Sequence, residues 1–129
     1  MKRNDGFTLI ELMIVVVIIG ILATVAVGRF EKVKRRGQVA AVQSDLRNLS
    51  VAQESYHTQN ITYTSNLADL EFNQTSGVTI TVNEATAVGW GATAVHAGDA
   101  TIQCGIYVGS VNPSAGAPAT SPEQVACTF

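Results

Sequence analysis

The sequence predicts an α+β fold: a long N-terminal α-helix, apolar all round in its first half and amphipathic in its second, packed on a small antiparallel β-sheet. Three observations predict it. Residues 7–28 form an apolar run broken by one carboxylate, Glu11; residues 29–57 continue without proline at a helical period; and from residue 78 the apolar period changes to two. A length of 129 residues suits one domain plus a tail.

The first element is FTLIELMIVVVIIGILATVAVG, residues 7–28, which is 22 residues long. A helix needs about 20 such residues to cross a bilayer, so this one is long enough to span. Between Asp5 and Arg29 the only formally charged side chain is Glu11. An acid inside such a segment costs about 2.5–3.5 kcal/mol on insertion scales and is expected to face a protein partner or a cavity. Glu11 therefore needs a cation. The candidates are Lys2 and Arg3, a basic group on another protein, or a new amine made by cutting the chain ahead of Phe7. Phe7 and Glu11 are four residues apart and share a helical face.

The second element continues the first over residues 29–57. Val39, Val42, Leu46, Leu49, Gln53 and Tyr56 step by three and four, a stripe of helical period with Gln53 as its polar interruption. Lys34, Arg35, Gln38, Asp45 and Arg47 are expected on the opposite, solvated surface. From Phe7 to Tyr56 the helix would be about 75 Å long, more than its own small core needs. Gly20, Gly28 and Gly37 are weak points, each costing about 1 kcal/mol against alanine. They permit either close packing on neighbouring helices or local loosening.

Residues 58–129 are expected to form the head. HTQNITYTSN is polar and turn-like, and SNLADLEF suits one helical turn capped by Ser65 or Asn66. VTITVN (78–83), GWGATAVHA (89–97) and TIQCGIYVG (101–109) alternate as strands between turn residues. In the last of them Ile102, Cys104, Ile106 and Val108 share a face. Three or four antiparallel strands, laid on the amphipathic half of the helix, are the economical arrangement. The final SVNPSAGAPATSPEQVACTF reads as loop, with Pro113, Pro118 and Pro122.

Charge is distributed unevenly. All eight basic residues lie in the first 47 positions, whereas residues 48–129 carry Glu54, Asp69, Glu71, Glu84, Asp99 and Glu123 and no Lys or Arg. The chain is basic beside the apolar run and acidic at its far end. Counting positive charges about the span would put the C-terminal side in the cytoplasm, because five basic residues follow it within Arg29–Arg36. Cys104 and Cys127 fit a disulfide if the chain leaves the cytoplasm, and Cys127 would then pin the terminal loop to the sheet. Two buried free thiols are the alternative; the spacing is neither that of a zinc site nor a redox CxxC.

KRNDGFTLIELMIVVVIIGILA resembles the N-terminus of type IV prepilins and of the similar type II secretion pseudopilins. The shared pattern is a short charged leader ending in Gly6, then Phe7, Thr8, an apolar run and a glutamate five positions after the glycine. The resemblance covers about 25 residues closely; helix, sheet and two C-terminal cysteines extend it loosely to the whole chain. It implies cleavage between Gly6 and Phe7 by a prepilin peptidase on the cytoplasmic side, and methylation of the new Phe7 amine. Residues 1–6 would then be a leader, 7–28 a transmembrane and filament-core helix, 29–57 its amphipathic continuation, and 58–129 a β-sheet head with a disulfide-bonded loop. The N-terminus stays inside, which overrides the positive-charge count.

The same resemblance implies that subunits wait in a bacterial inner membrane and are fed by a membrane assembly platform into a helical filament of this chain. That filament would be an extracellular pilus or a periplasmic pseudopilus. Glu11 would meet the Phe7 amine of a neighbouring copy in an apolar core, where charges are poorly screened. Intrahelical pairing or snorkelling of Glu11 to the headgroups is the plainer alternative. Where many relatives carry proline, this chain has Gly28.

Other classes fit less well. RFEKVKRR (29–36) lacks interleaved aromatics and suits a solvated or headgroup-facing helix surface better than nucleic acid. His57 and His96 show no ligand spacing, so no metal or cofactor is expected. NLS, NIT and NQT, from Asn48, Asn60 and Asn73, match a glycosylation tripeptide too short to carry weight. No nucleophile with a base, carboxylate pair or phosphate loop is evident, so the chain is read as a structural subunit rather than an enzyme. Two alternatives remain: a membrane-anchored binding domain that never polymerises, and a secreted domain released by signal-peptidase cleavage at the small-residue site AVG (26–28).

Overall fold

The computed structural model describes residues 5–129. Lys2 and Arg3, two of the candidate cations, and the first four positions of the expected leader lie outside the described residues. One helix, α1 (Leu9–Asn60), is 52 residues long. Two compact units divide the chain, Met1–Lys34 and Arg35–Phe129.

In the first unit, described from Asp5, the helix has no core to cover it. Every large apolar side chain from Phe7 to Val33 is between 49% and 91% exposed. The apolar stretch of α1 is long and apolar enough to cross a membrane. Such a surface is stable only against lipid or against other apolar helices. An added Cβ at Gly20 or Gly28 would meet nothing within this chain, so the space these glycines leave is open to another molecule.

In the second unit the helix is covered by a four-stranded sheet. The strands are β1 (Val78–Ala85), β2 (Gly89–His96), β3 (Asp99–Gly109) and β4 (Ala126–Thr128), in the order β1-β2-β3-β4 with every pair antiparallel. The stripe expected on the helix is the packed face: Val42, Leu46, Leu49 and Gln53 are fully buried, and Val39 nearly so. They meet Ile80, Trp90, Ala92, Ala94, Ile102, Cys104 and Ile106 of the sheet. Ile102, Cys104, Ile106 and Val108 line the inner face of β3 as the alternation predicts.

Three details depart from the expectations. The helix runs through His57 to Asn60, because HTQN is polar but contains neither proline nor glycine to stop it. It ends where Ile61 adopts φ 58° and its N–H donates to the His57 carbonyl at 2.8 Å. That is a left-handed cap in which a β-branched residue stands where glycine or asparagine is usual.

Asp45 is not on a solvated face. It is 3% exposed, and its carboxylate accepts the Thr75 N–H at 2.6 Å and the Thr75 hydroxyl at 2.7 Å, tying the loop before β1 to the helix. Asp45→Ala leaves a buried loop contact unmade and is expected to cost about 2 kcal/mol. The full chain in detergent would report this as a lower melting midpoint of fluorescence from Trp90, the one tryptophan, which is fully buried.

The C-terminal segment is not all loop. Asn112 caps a 3-10 turn at Pro113–Gly116, and β4 follows Pro122. The prolines begin turns without preventing pairing beyond them. This segment covers the outer face of β3, which buries Gly105 and Tyr107 as well. A Cβ on Gly105 would collide with the carbonyl oxygens of Gly116 and Ala117, so only glycine admits so close a backbone.

Gln53, the polar member expected in the stripe, is buried there as predicted and finds its partner in the loop backbone. Its side-chain amide donates to the Thr64 carbonyl at 2.6 Å and accepts the Thr64 N–H at 3.1 Å. The loop after α1 is thereby fixed, and Asn66 caps the following 3-10 turn, Leu67–Asp69.

Candidate functional site

Glu11 stands in the first turn of α1, and Thr8 is the residue just ahead of the helix. The Thr8 N–H and hydroxyl both donate to Glu11 Oε2, at 2.8 and 2.9 Å, while the Glu11 N–H donates to Thr8 Oγ1 at 3.3 Å. This reciprocal pair is a capping box, which satisfies helix-end donors that otherwise lack partners. Thr8 was read only as a member of the N-terminal pattern; its capping role was missed, although the Thr-x-x-Glu spacing signals it. Glu11 Oε1 carries no hydrogen bond among the described residues, so half of the carboxylate remains open to a cation. Gly6 and Phe7 lie ahead of the helix in exposed chain outside any helix or strand, with the Phe7 side chain 91% exposed.

Cys104 and Cys127 form a disulfide, with an S–S distance of 2.04 Å. The two residues face each other directly across β3 and β4. The Gln43 side-chain amide approaches Cys127 Sγ at 3.6 Å.

Among the described residues the only ion pair joins Arg35 Nε to Asp99 Oδ2 at 3.1 Å. Arg35 also donates to the Thr101 hydroxyl at 2.8 Å and lies 5.7 Å from the Phe129 ring centroid. Hydrogen bonds from the Thr101 hydroxyl and N–H, helped by Arg35 and His96, hold the Asp99 carboxyl below its ordinary value of 3.8. A carboxyl held low in the fold adds stability that is present above its unfolded value and is lost as pH falls through the folded one. Acidification below 3.8 is therefore expected to lower the melting midpoint of the full chain, and Asp99→Asn to flatten that part of the profile.

The two histidines are placed apart, in structural roles. His57 stacks on Tyr63 at 4.4 Å with Nε2 3.1 Å from the Ala87 carbonyl, and His96 Nδ1 accepts the Gly98 N–H at 2.9 Å. The described residues hold no group of three or more His, Cys, Asp or Glu set for a metal ion. The Tyr63 hydroxyl donates to Glu54 at 2.9 Å, and desolvation together with that carboxylate raises its pKa.

Residues 1–27 match the family described as the prokaryotic N-terminal methylation motif. A type IV wide pilus major component of Thermus thermophilus is 33% identical over 131 residues, covering 95% of this chain and 100% of that protein. A type IV major pilin protein of Myxococcus xanthus is 43% identical over 70 residues, 54% of this chain and 32% of the relative. A type II secretion system core protein G of Pseudomonas aeruginosa is 36% identical over 70 residues, 54% of this chain and 49% of that one. The matched stretch thus spans only about a third of the Myxococcus relative and of a Pseudomonas aeruginosa fimbrial protein, at 32% and 36% of their lengths. The match to the Thermus protein, by contrast, covers nearly all of this chain and the whole of that one, and on it the chain belongs to the type IV pilin family.

Proposed function

We propose that this chain is a structural subunit of a type IV pilus-like filament, not an enzyme. The observation that carries the reading is the first half of α1: an apolar helix left wholly uncovered, with one carboxylate near its start, in a member of the pilin family. Residues 1–6 serve as a leader that prepilin peptidase removes on the cytoplasmic side. Residues 7–28 anchor the precursor in the inner membrane and later line the filament core, 29–57 continue the helix, and 58–129 form the head on the filament surface. Cutting after Gly6 leaves a cation at Phe7, which is then methylated.

Glu11 acts in two steps. In the lone subunit its Oε2 caps Thr8, so the carboxylate is partly satisfied in lipid. On docking, the amine of a neighbouring copy's Phe7 adds to the carboxylate, and the apolar surroundings leave that pair poorly screened. Register follows, because a subunit docked one turn out of place would leave Glu11 without its cation. A cytoplasmic ATPase machine, acting at an inner-membrane assembly platform, feeds the subunits into the filament.

A periplasmic pseudopilus is the second reading, favoured by the likeness to the secretion core protein G. Electron microscopy of the fraction sheared from cells producing the full chain, labelled with antibody to the head, tests both. Long surface fibres bearing the label are expected. Chain confined to the inner membrane, with no fibre under any expression level, would remove the filament reading.

A further inference from the structure

The head carries a groove of ≈ 350 Å³ between the last turns of α1 and the 3-10 turn that follows. Val51, Tyr56 and Leu70 supply apolar surface, and Gln59, Asp69 and Glu71 supply polar atoms. Val51 is 71% exposed although it borders this groove. The two carboxylates differ in kind. Asp69 accepts hydrogen bonds from Thr64 and Asn66 at 3.2 and 3.1 Å and so belongs partly to the turn. Glu71 is exposed and has no hydrogen bond or ion pair among the described residues. Aliphatic walls, an aromatic ring and a free carboxylate together suit the stem and head of a Lys or Arg side chain.

The complementary surface lies on the same chain. Arg29, Lys32 and Val33 recur at helical spacing on one face of α1, and all three are exposed, Val33 at 66%. Neither Arg29 nor Lys32 has a carboxylate partner among the described residues. Heads that carry acids and no base beyond Arg47 repel one another head to head. Attraction between copies must then join unlike surfaces, and a contact between unlike surfaces repeats into an open filament rather than a closed dimer.

We propose that the groove receives the Arg29–Val33 face of a second copy of this chain, with Glu71 as the anion for Lys32 or Arg29. This rests on the filament reading above and adds to it a second, head-level contact that selects for neighbours of the right charge.

Glu71→Lys is the first variant, since that side chain holds nothing within the head. Expressed in the full chain, it is expected to lower the amount of sheared filament about tenfold, as is Lys32→Glu with Arg29→Glu; combining the reversals is expected to restore most of it. Cysteines introduced by Glu71→Cys and Lys32→Cys in one chain should give a reducible ladder of multimers on mild oxidation, absent from either single variant. Unaltered filaments from Glu71→Lys, with no ladder, would overturn the contact while leaving the pilin reading intact. Unaltered filaments together with weaker membrane retention of the Lys32→Glu precursor would assign the basic face to lipid headgroups and likewise overturn it. A wild-type chain that forms no filaments at all would remove the contact along with the reading it rests on.

Discussion

Glu11→Ala is expected to insert into the inner membrane normally and to leave almost no chain in filaments. An apolar residue lowers the cost of the span in lipid, so insertion has no reason to fail. In the filament core, removing one partner of a poorly screened pair leaves the neighbour's amine without its anion. That costs about 3–5 kcal/mol, more than a hundredfold in the docking equilibrium of each subunit. Two companions separate the roles of the carboxylate. Glu11→Gln keeps an oxygen that can accept from the Thr8 N–H but has no charge, and it is expected to fail like alanine. Thr8→Ala removes the cap alone, worth about 1 kcal/mol, and is expected to keep most filaments. Quantitative immunoblots of membrane and sheared fractions read all three; wild-type filament yield from Glu11→Gln would reduce Glu11 to a capping residue.

Replacing both cysteines, Cys104→Ser with Cys127→Ser, is expected to have the largest effect on the head. The bond closes a loop with a sequence separation of 23, for which chain entropy predicts about 3 kcal/mol. β4 is three residues long, and the rest of the tether includes Glu123 N–H to the Tyr107 carbonyl at 2.8 Å, Tyr107 hydroxyl to the Thr120 carbonyl at 3.2 Å and Asn83 to the Ala115 carbonyl at 2.8 Å. Released, residues 110–129 would uncover Gly105 and Tyr107 on the outer face of β3. A lower melting midpoint and rapid proteolysis within 110–129 are the expected readouts. Helix-mediated membrane insertion should be unchanged, because the apolar run does not depend on the head.

What could be read from the chain, and what could not, follows from the range of each interaction. The apolar run, the stripe from Val39 to Gln53 and the alternation of Ile102, Cys104, Ile106 and Val108 are local patterns, so they specify elements and their inner faces. Asp45 could not be placed, because its partner Thr75 is thirty residues away and nothing in LRNLS or its flanks announces it. Gln53 looked like a polar flaw in an apolar stripe; its amide is instead the pairing partner of the Thr64 backbone. Burial of Tyr107 and Gly105 was invisible for a related reason. A period of two marks one covered face, and the cover on the other side comes from a proline-containing segment that composition alone assigns to loop. Glu11 was conspicuous because a charge in lipid is costly. The cap that Thr8 makes was overlooked, since its signal is a three-residue spacing inside a motif dominated by apolar residues.

The most direct test of the central claim is the intact mass and N-terminal sequence of the chain recovered from sheared filaments, taken with and without reduction. A chain beginning at Phe7, heavier by one methyl group and gaining two hydrogens on reduction, is the expected result: it would place leader removal, the new cation facing Glu11 and the disulfide in one molecule. A chain beginning beyond Gly28 would contradict the account, because the apolar helix and Glu11 would both be missing from the mature protein.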